Sequence, residues 1–504
     1  MEVIQSLIFG FSVALTPVNL LYCFLGCLIG TLVGVLPGIG PAAAIAILLP
    51  ITFPLDVTGA IIMLGGILYG AQYGGSTTAI LVNIPGESSS VMTCLDGYEM
   101  AKQGRAGAAL GIAAFGSLIA GTLSLIGLML LAPLLAEFAL RFGPPEYCTL
   151  VIMSLSFITY LVRGSMPRAL MMACLGLLLA QIGADPITAK MRFVYGINVL
   201  RGGLGIGPVL MGLFGISEVL ASVGAMGGRS VVKTEIRRIL PSRQDWKDSL
   251  APILRGTGLG FFLGILPGIG LSIPTFASYA LEKKLSRHPE RFGSGAIEGV
   301  AGPEACNNAA AQGTFVPMLS LGIPPTATMA LFLGALMMHG IQPGPLLIQD
   351  KPDIFWGLIS SMYIGNIFLV ILNLPLIFLW VQLLRVPYGY LFPTVLLFCL
   401  IGAYSLNNQV GEVAVMLFFG AVGYILKRLE YEITPLVIGV VLGPIMERAF
   451  RESLIISGGS FLIFVNRPIA AFFLVLSVII VATRLFRTLS NRLQGVLNSS
   501  ETEI

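Results

Sequence analysis

The chain is short of charge. Of its 504 residues only 11% are Asp, Glu, Lys or Arg and 56% are hydrophobic, whereas a soluble domain carries about 25% charged residues. A water-soluble globular enzyme is thereby excluded. Histidine is scarcer still: His288 sits in a charged loop and His339 ends an apolar run, so no metal cluster or hydrolase constellation can be assembled from them. The seven cysteines, Cys23, Cys27, Cys94, Cys148, Cys174, Cys306 and Cys399, form no even framework, and most lie in apolar runs where they read as packing residues. Cys23 and Cys27 have no His or carboxylate nearby with which to hold a metal. The basic clusters are short and lack interleaved aromatics, which excludes nucleic acid as a partner. Residues Met1 to Leu15 contain Glu2 but no basic n-region or small-residue cleavage site, so they are expected to be mature protein and not a cleaved signal.

What is present is a succession of apolar runs. Those long enough to cross a hydrocarbon core of roughly 30 Å recur from the first residues to Arg484 and set an expectation of about ten to fourteen membrane segments. The fold class expected is an all-α integral membrane protein in a lipid bilayer. Its longest polar interval, Gly228 to Asp248, holds Arg229, Lys233, Arg237, Arg238, Arg243 and Lys247 against Glu235, Asp245 and Asp248. The positive-inside rule makes it cytoplasmic, and it puts Lys283-Lys284 with Arg287 and Arg291, Lys427-Arg428, and Arg484 with Arg487 and Arg492 on the same side.

The chain also contains itself twice. Gly34-Val35-Leu36-Pro37-Gly38-Ile39-Gly40 returns as Gly264-Ile265-Leu266-Pro267-Gly268-Ile269-Gly270, 230 residues on (37 to 267). That offset is close to half the chain, and the basic interval falls between the copies. The expected organisation is a first transmembrane repeat over 1–227, a cytoplasmic linker over 228–250, a second repeat over 251–455, and an added helix, Ser460 to Val481, with its tail over 456–504. One cytoplasmic linker and duplicated breaks imply inverted topology, with the two Pro-Gly tips entering from opposite faces.

Each copy carries two breaks. After the first, Pro41 to Pro54 runs 14 residues, about 21 Å as a helix, and Leu271 to Leu281 runs 11 residues, about 16 Å, before Glu282-Lys283-Lys284 stops it. Both are too short to span. A re-entrant hairpin with Pro-Gly at its tip is expected, against the alternative of a Pro-kinked continuous helix. The second break follows a stretch of small hydroxyls: Tyr73-Gly74-Gly75-Ser76-Thr77-Thr78 leading to Asn83-Ile84-Pro85-Gly86-Glu87, and Pro303-Glu304-Ala305-Cys306-Asn307-Asn308 leading through Gly313-Thr314 to Gly322-Ile323-Pro324. Polar groups in a membrane segment are costly unless they face a bundle interior or a cavity. A matched pair of such breaks points to a transporter's site.

The candidate substrate- and ion-binding residues are therefore Pro37, Gly38, Gly40, Gly75, Ser76, Thr77, Asn83, Pro85, Gly86, Pro267, Gly268, Gly270, Pro303, Glu304, Asn307, Asn308, Gly313, Thr314, Gly322 and Pro324. The competing reading is that each hydroxyl bonds its own helix carbonyl and each glycine permits close packing. Glu87, Glu298 and Glu304 are the acids nearest the breaks, each with an interfacial position as its alternative. Helix N-termini opened by breaks favour carboxylates, and freed carbonyls favour cations. An anionic substrate with a coupling cation, sodium or proton, follows. No other cofactor and no metal set is called for.

At these signatures the chain resembles the large membrane subunit of the tripartite tricarboxylate transporters, the TctA-type family of bacteria. The resemblance is carried by Gly34 to Pro41, Tyr73 to Glu87 with Asp96-Gly97-Tyr98, Gly264 to Gly270, Glu282-Lys283-Lys284, and Gly299 to Ala309 followed by Gly322-Ile323-Pro324. It departs from the pattern at Pro325, where Gly commonly follows Ile-Pro, and at Ser76-Thr77, which can be Arg-Ile in citrate-type members. The resemblance implies cation-coupled uptake of organic di- or tricarboxylates across the bacterial inner membrane by alternating access. It also implies two partners, a small four-helix membrane subunit (TctB-type) and a periplasmic binding protein (TctC-type). A channel is the alternative, and an intramembrane enzyme a more remote one.

Overall fold

Helix starts are written into the side chains at the breaks. Asp56 accepts the Gly59 N–H at 2.9 Å, Thr326 accepts the Met329 N–H at 3.2 Å, and Ser242 and Asp245 cap each other reciprocally. Pro17, Pro41 and Pro352 occupy first-turn positions that need no N–H. The computed structural model describes residues 2–36, 40–161, 165–223, 239–383 and 388–501. Pro37, Gly38 and the linker as far as Arg238 lie outside them.

The helices that position the site are α1 (Pro17–Gly34), α2 (Pro41–Thr52), α3 (Val57–Val82), α4 (Val91–Lys102) and α5 (Ala106–Ala139), then α6 (Arg243–Ile265), α7 (Ser272–Leu285), α8 (Glu298–Leu321), α9 (Ala327–Met338) and α10 (Pro352–Asn373). All belong to one compact unit, Met1–Leu140 with Gly205–Ile425. A second unit, Arg141–Leu204 with Leu426–Ile504, is built on helices Pro144–Leu161, Met166–Leu179, Thr434–Ile456 and Pro468–Glu501. The described strands are one antiparallel pair of two residues each, Gly183–Ala184 with Met191–Arg192.

Two glycine seams organise the first unit. A Cβ on Gly26, Gly30 or Gly34 of α1 would stand 2.3, 2.4 or 2.2 Å from the carbonyl oxygens of Met63, Ile67 and Ala71 of α3. On α6, a Cβ on Gly256, Gly260 or Gly264 would stand 2.3, 2.2 or 2.2 Å from those of Gly302, Cys306 and Ala310 of α8. Backbone meets backbone with no room for a side chain. Both series advance by four residues on each helix, so α1 runs parallel to α3 and α6 parallel to α8. It follows that α2 and α7 run back between them. These return arms have 12 and 14 residues, about 18 and 21 Å, short of the roughly 30 Å core.

One sequence expectation fails here. Glu282-Lys283-Lys284 does not stop the return arm, because α7 continues to Leu285. Glu282 is only 2% exposed and accepts both arms of the Arg255 fork, with Nε at 2.9 Å from Oε1. The carboxylate is thus inside, tied to α6, and the helix has no reason to end.

The chain is an all-α membrane protein. Among the described residues, six helices are long and apolar enough to cross a membrane and six more are apolar but of 10–17 residues. Breaks divide several apolar runs, which is why fewer full spans appear than run lengths suggest. The added C-terminal helix likewise begins at Pro468, not Ser460, after Gly458 and Gly459 take left-handed backbone at φ 63° and 91°. In α3, every residue from Gly59 to Val82 is buried, and in α8 every residue from Gly299 to Ser320. These two are the core.

Candidate functional site

The two core helices end alike. Asn83 caps α3 at φ 58° and Gly322 caps α8 at φ 70°, both left-handed. Ile-Pro follows in each, and the backbone then straightens, at Glu87 to φ −143°, ψ 168° and at Thr326 to φ −137°, ψ 165°, before the next helical turn. Asn and Gly are the residues that tolerate left-handed backbone at a helix end. Asn83 serves as this cap with its side chain exposed. Gly268 and Gly40 each lie close to the break that follows in the chain. Gly268, at φ 79°, donates its N–H to the Pro325 carbonyl at 3.2 Å, and a Cβ on Gly40 would stand 3.5 Å from the Gly86 carbonyl oxygen. Gly86 folds back so closely that its Cβ would meet the Gly75 Cα at 2.3 Å. Gly270, at φ 67°, completes the second turn.

Polar side chains join α3 to α8. Tyr69 OH donates to Gln312 Oε1 at 2.8 Å, and Ser76 Oγ is hydrogen-bonded to Glu304 Oε2 at 2.6 Å. As the number rises on one helix it falls on the other, so the helices are antiparallel. Thr93 of α4 donates to Glu304 Oε1. Asn307 Nδ2 donates to Glu87 Oε1 at 2.9 Å, across to the loop behind α3. Ser272 Oγ, at the start of α7, donates to Ser88 Oγ at 2.7 Å, which sets the first turns after two breaks side by side. A small cleft opens at this junction, walled by Tyr73, Ser76 and Thr77 of α3, Ser117 of α5, Glu304 of α8 and Asn373 at the end of α10. Both amide atoms of Gln72, the Ser90 hydroxyl and the Asn307 carbonyl oxygen are buried without a hydrogen-bond partner in the protein. Groups of that kind are expensive to leave unmade.

Comparison with known proteins decides the family. The model described as "Tripartite tricarboxylate transporter TctA family" matches residues 20–438. The chain belongs to the TctA family. Two Agrobacterium vitis proteins are similar to it. One, "Uncharacterized 52.8 kDa protein in TAR-I ttuC' 3'region", is 49% identical over 94% of each chain. The other, "Uncharacterized protein in TAR-II ttuC' 3'region", is 50% identical over 46% of this chain and 96% of its own. No solved structure matches. As a TctA protein the chain is a membrane-embedded subunit of a transporter with further subunits.

The residues singled out in this TctA sequence divide by placement. Ser76, Thr77 and Glu304 wall the cleft, and Gly75, Pro85, Gly86 and Asn307 shape the first break behind it. Glu304 is 1% exposed and enclosed by protein. Asn308 donates to Ser117 Oγ at 2.6 Å and Thr314 donates to the Ala311 carbonyl of its own helix at 2.5 Å. A Cβ on Gly313 would stand 2.4 Å from the Phe261 carbonyl, continuing the seam of α6. Gly322 and Pro324 form the second break, and Pro303 is buried within α8. Pro267 precedes the Gly268 turn, and Pro37 and Gly38 are outside the described residues. Tyr69, Gln72, Thr93, Ser117, Gln312 and Asn373 were missed by the sequence reading. Each is a single polar side chain in an apolar run, and only its repetition on one helix face, as in Tyr69, Gln72 and Ser76, signals it.

Proposed function

We propose that the chain carries an organic carboxylate, a di- or tricarboxylate anion, inward across the bacterial inner membrane, coupled to a cation and by alternating access. A TctC-type periplasmic binding protein would deliver the anion, and a TctB-type four-helix subunit would complete the complex. The observation that carries this reading is the meeting of α3 and α8. They are corresponding helices, antiparallel at the cleft, and each ends in the same left-handed break. Helix starts following breaks, at Ser88 and Ser272, lie together there, and helix N-termini favour an anion in the absence of Lys or Arg.

The chain directions also support inverted repeats. The α1–α2 hairpin lies beside α3 and the α6–α7 hairpin beside α8, so the two open toward opposite faces. Arg105, before α5, pairs with Asp245 at 2.6 Å at the start of α6, next to the basic linker. Positive-inside then makes the α6–α7 hairpin open to the cytoplasm, where Lys283, Lys284, Arg287 and Arg291 sit, and the α1–α2 hairpin open to the periplasm.

Labelling tests the topology. In a Cys-free background, Pro54→Cys is expected to react with an impermeant thiol reagent only from the periplasm and Arg287→Cys only from the cytoplasm. Reaction of both from one face would end the inverted reading. Uptake of labelled di- and tricarboxylates by proteoliposomes holding all three subunits, with and without sodium and proton gradients, tests the transport itself. Uptake indifferent to both gradients would exclude cation coupling.

A further inference from the structure

Glu304 is a carboxyl group without a cation. It is 1% exposed, and the helices walling its cleft, α3, α5, α8 and α10, contain no Lys, Arg or His among them. The titratable groups facing it are Tyr73 of α3, Cys94 of α4 and Glu87 of the first break, none of which is a positive charge. An ionised carboxylate in that position loses far more hydration than two hydroxyl donors restore.

The hydroxyls around it offer a way out. Ser76 Oγ lies 2.6 Å from Glu304 Oε2 and 3.3 Å from the Gln72 carbonyl oxygen. A serine hydroxyl has one hydrogen and two lone pairs. When that hydrogen points to the Gln72 carbonyl, the contact with Oε2 requires a hydrogen on Glu304. When it points to Oε2, that oxygen is an acceptor, as it is in the ionised carboxylate. Rotation about one Ser76 bond therefore accommodates either state, while Thr93 holds Oε1 in place.

We propose that Glu304 is a proton-binding site, neutral in this arrangement with its carboxyl hydrogen donated to Ser76 Oγ, and that it exchanges this proton with water admitted at the junction. The proposal rests on the reading of the α3–α8 junction as the transport site and names the proton as the ion held there. No bond other than O–H forms or breaks, and the proton comes from and returns to solvent.

Infrared difference spectroscopy of the purified full-length chain reads the proton directly, without a substrate. At neutral pH the spectrum should contain a neutral carboxyl band, of one group per chain, that disappears in Glu304→Gln and reappears at a shifted frequency in Glu304→Asp. The band should be the same in sodium-free and sodium-rich buffer, and Thr93→Val, which keeps the acid but removes a donor, should move its frequency. A spectrum unchanged by Glu304→Gln, a band unmoved by Thr93→Val, or a band abolished by sodium at fixed pH would each overturn the proposal. Should Glu304→Gln not fold, the Thr93→Val result decides alone. Failure of these bands leaves the topology and uptake experiments untouched, and failure of uptake leaves the bands to stand.

Discussion

Asn83 and Gly322 perform one task with two residue types. Asn83→Gly should therefore keep both fold and transport within a few tenths of a kcal/mol, whereas Asn83→Val should cost about 1–2 kcal/mol through left-handed strain. Thermal unfolding of the purified chain measures the difference, and a loss of uptake in Asn83→Gly at full stability would give the Asn83 side chain a part in transport beyond the cap. The glycines make a sharper contrast. A Cβ on Gly260 would stand 2.2 Å from the Cys306 carbonyl, while Gly258, two residues away, has nothing within 4 Å. Gly260→Ala should lower stability by about 1–3 kcal/mol or prevent folding, and Gly258→Ala should be neutral. Equal unfolding temperatures for the two would refute the seam. In the sequence both residues read the same, because a glycine does not say what lies opposite. Asn83, Asn308 and Thr314 were legible as polar residues in apolar surroundings, but that one is a cap, one a helix clamp and one a self-bonded hydroxyl shows only once the neighbouring helix is known.

Among the elements, the two hairpins differ in how they are fastened. Arg255 ties α6 to α7 through buried Glu282, and the residues 230 positions earlier are Leu25 and Thr52. Arg255→Ala would leave Glu282 buried and unpaired. We expect a loss of about 2 kcal/mol, below the 3–5 kcal/mol of a fully buried pair, because the Arg255 side chain is 39% exposed. Glu282→Gln together with Arg255→Ala should recover part of it, as read by chemical denaturation in detergent. The breaks were legible because Pro and Gly punctuate them. The pairing was not, because a Glu-Lys-Lys triplet is the ordinary mark of a helix leaving the membrane, and only the position of α6 shows that one of the three charges points inward. Hydropathy alone passes over α8. It is too polar to pass as a span, yet it is more completely buried than the long apolar α5, because it faces protein and not lipid.

At the scale of the whole molecule, the second unit carries an ionic lock of its own. Arg192 Nη1 lies 2.6 Å from Glu447 Oε1, and Arg451 Nη1 lies 2.6 Å from Asp185 Oδ2 and 3.1 Å from Glu447 Oε1. The Thr188 backbone N–H, joined by the Arg451 guanidinium and the Ile187 N–H, holds the Asp185 carboxyl well below the usual range. A carboxyl depressed on folding adds stability above its unfolded value, near 3.9 for Asp, and loses it as the pH falls through the folded value. Asp185→Asn should thus lower the unfolding temperature at neutral pH and narrow its gap to wild type on acidification below about pH 4. A gap that widened with acid would contradict this. Fold class and family were legible from apolar length and from the breaks. The division into two units was not, since each unit draws on both halves of the chain.

The glycine seams bear on how two helix pairs can share a geometry without sharing a sequence. Registration of α1 on α3, and of α6 on α8, depends on atoms that are missing, three Cβ positions per seam, and places no demand on the identity of the residues that supply carbonyls. Met63, Ile67 and Ala71 do the same work as Gly302, Cys306 and Ala310. Almost any sequence that keeps those few absences keeps the geometry, so the two helix pairs can differ in composition while agreeing in shape.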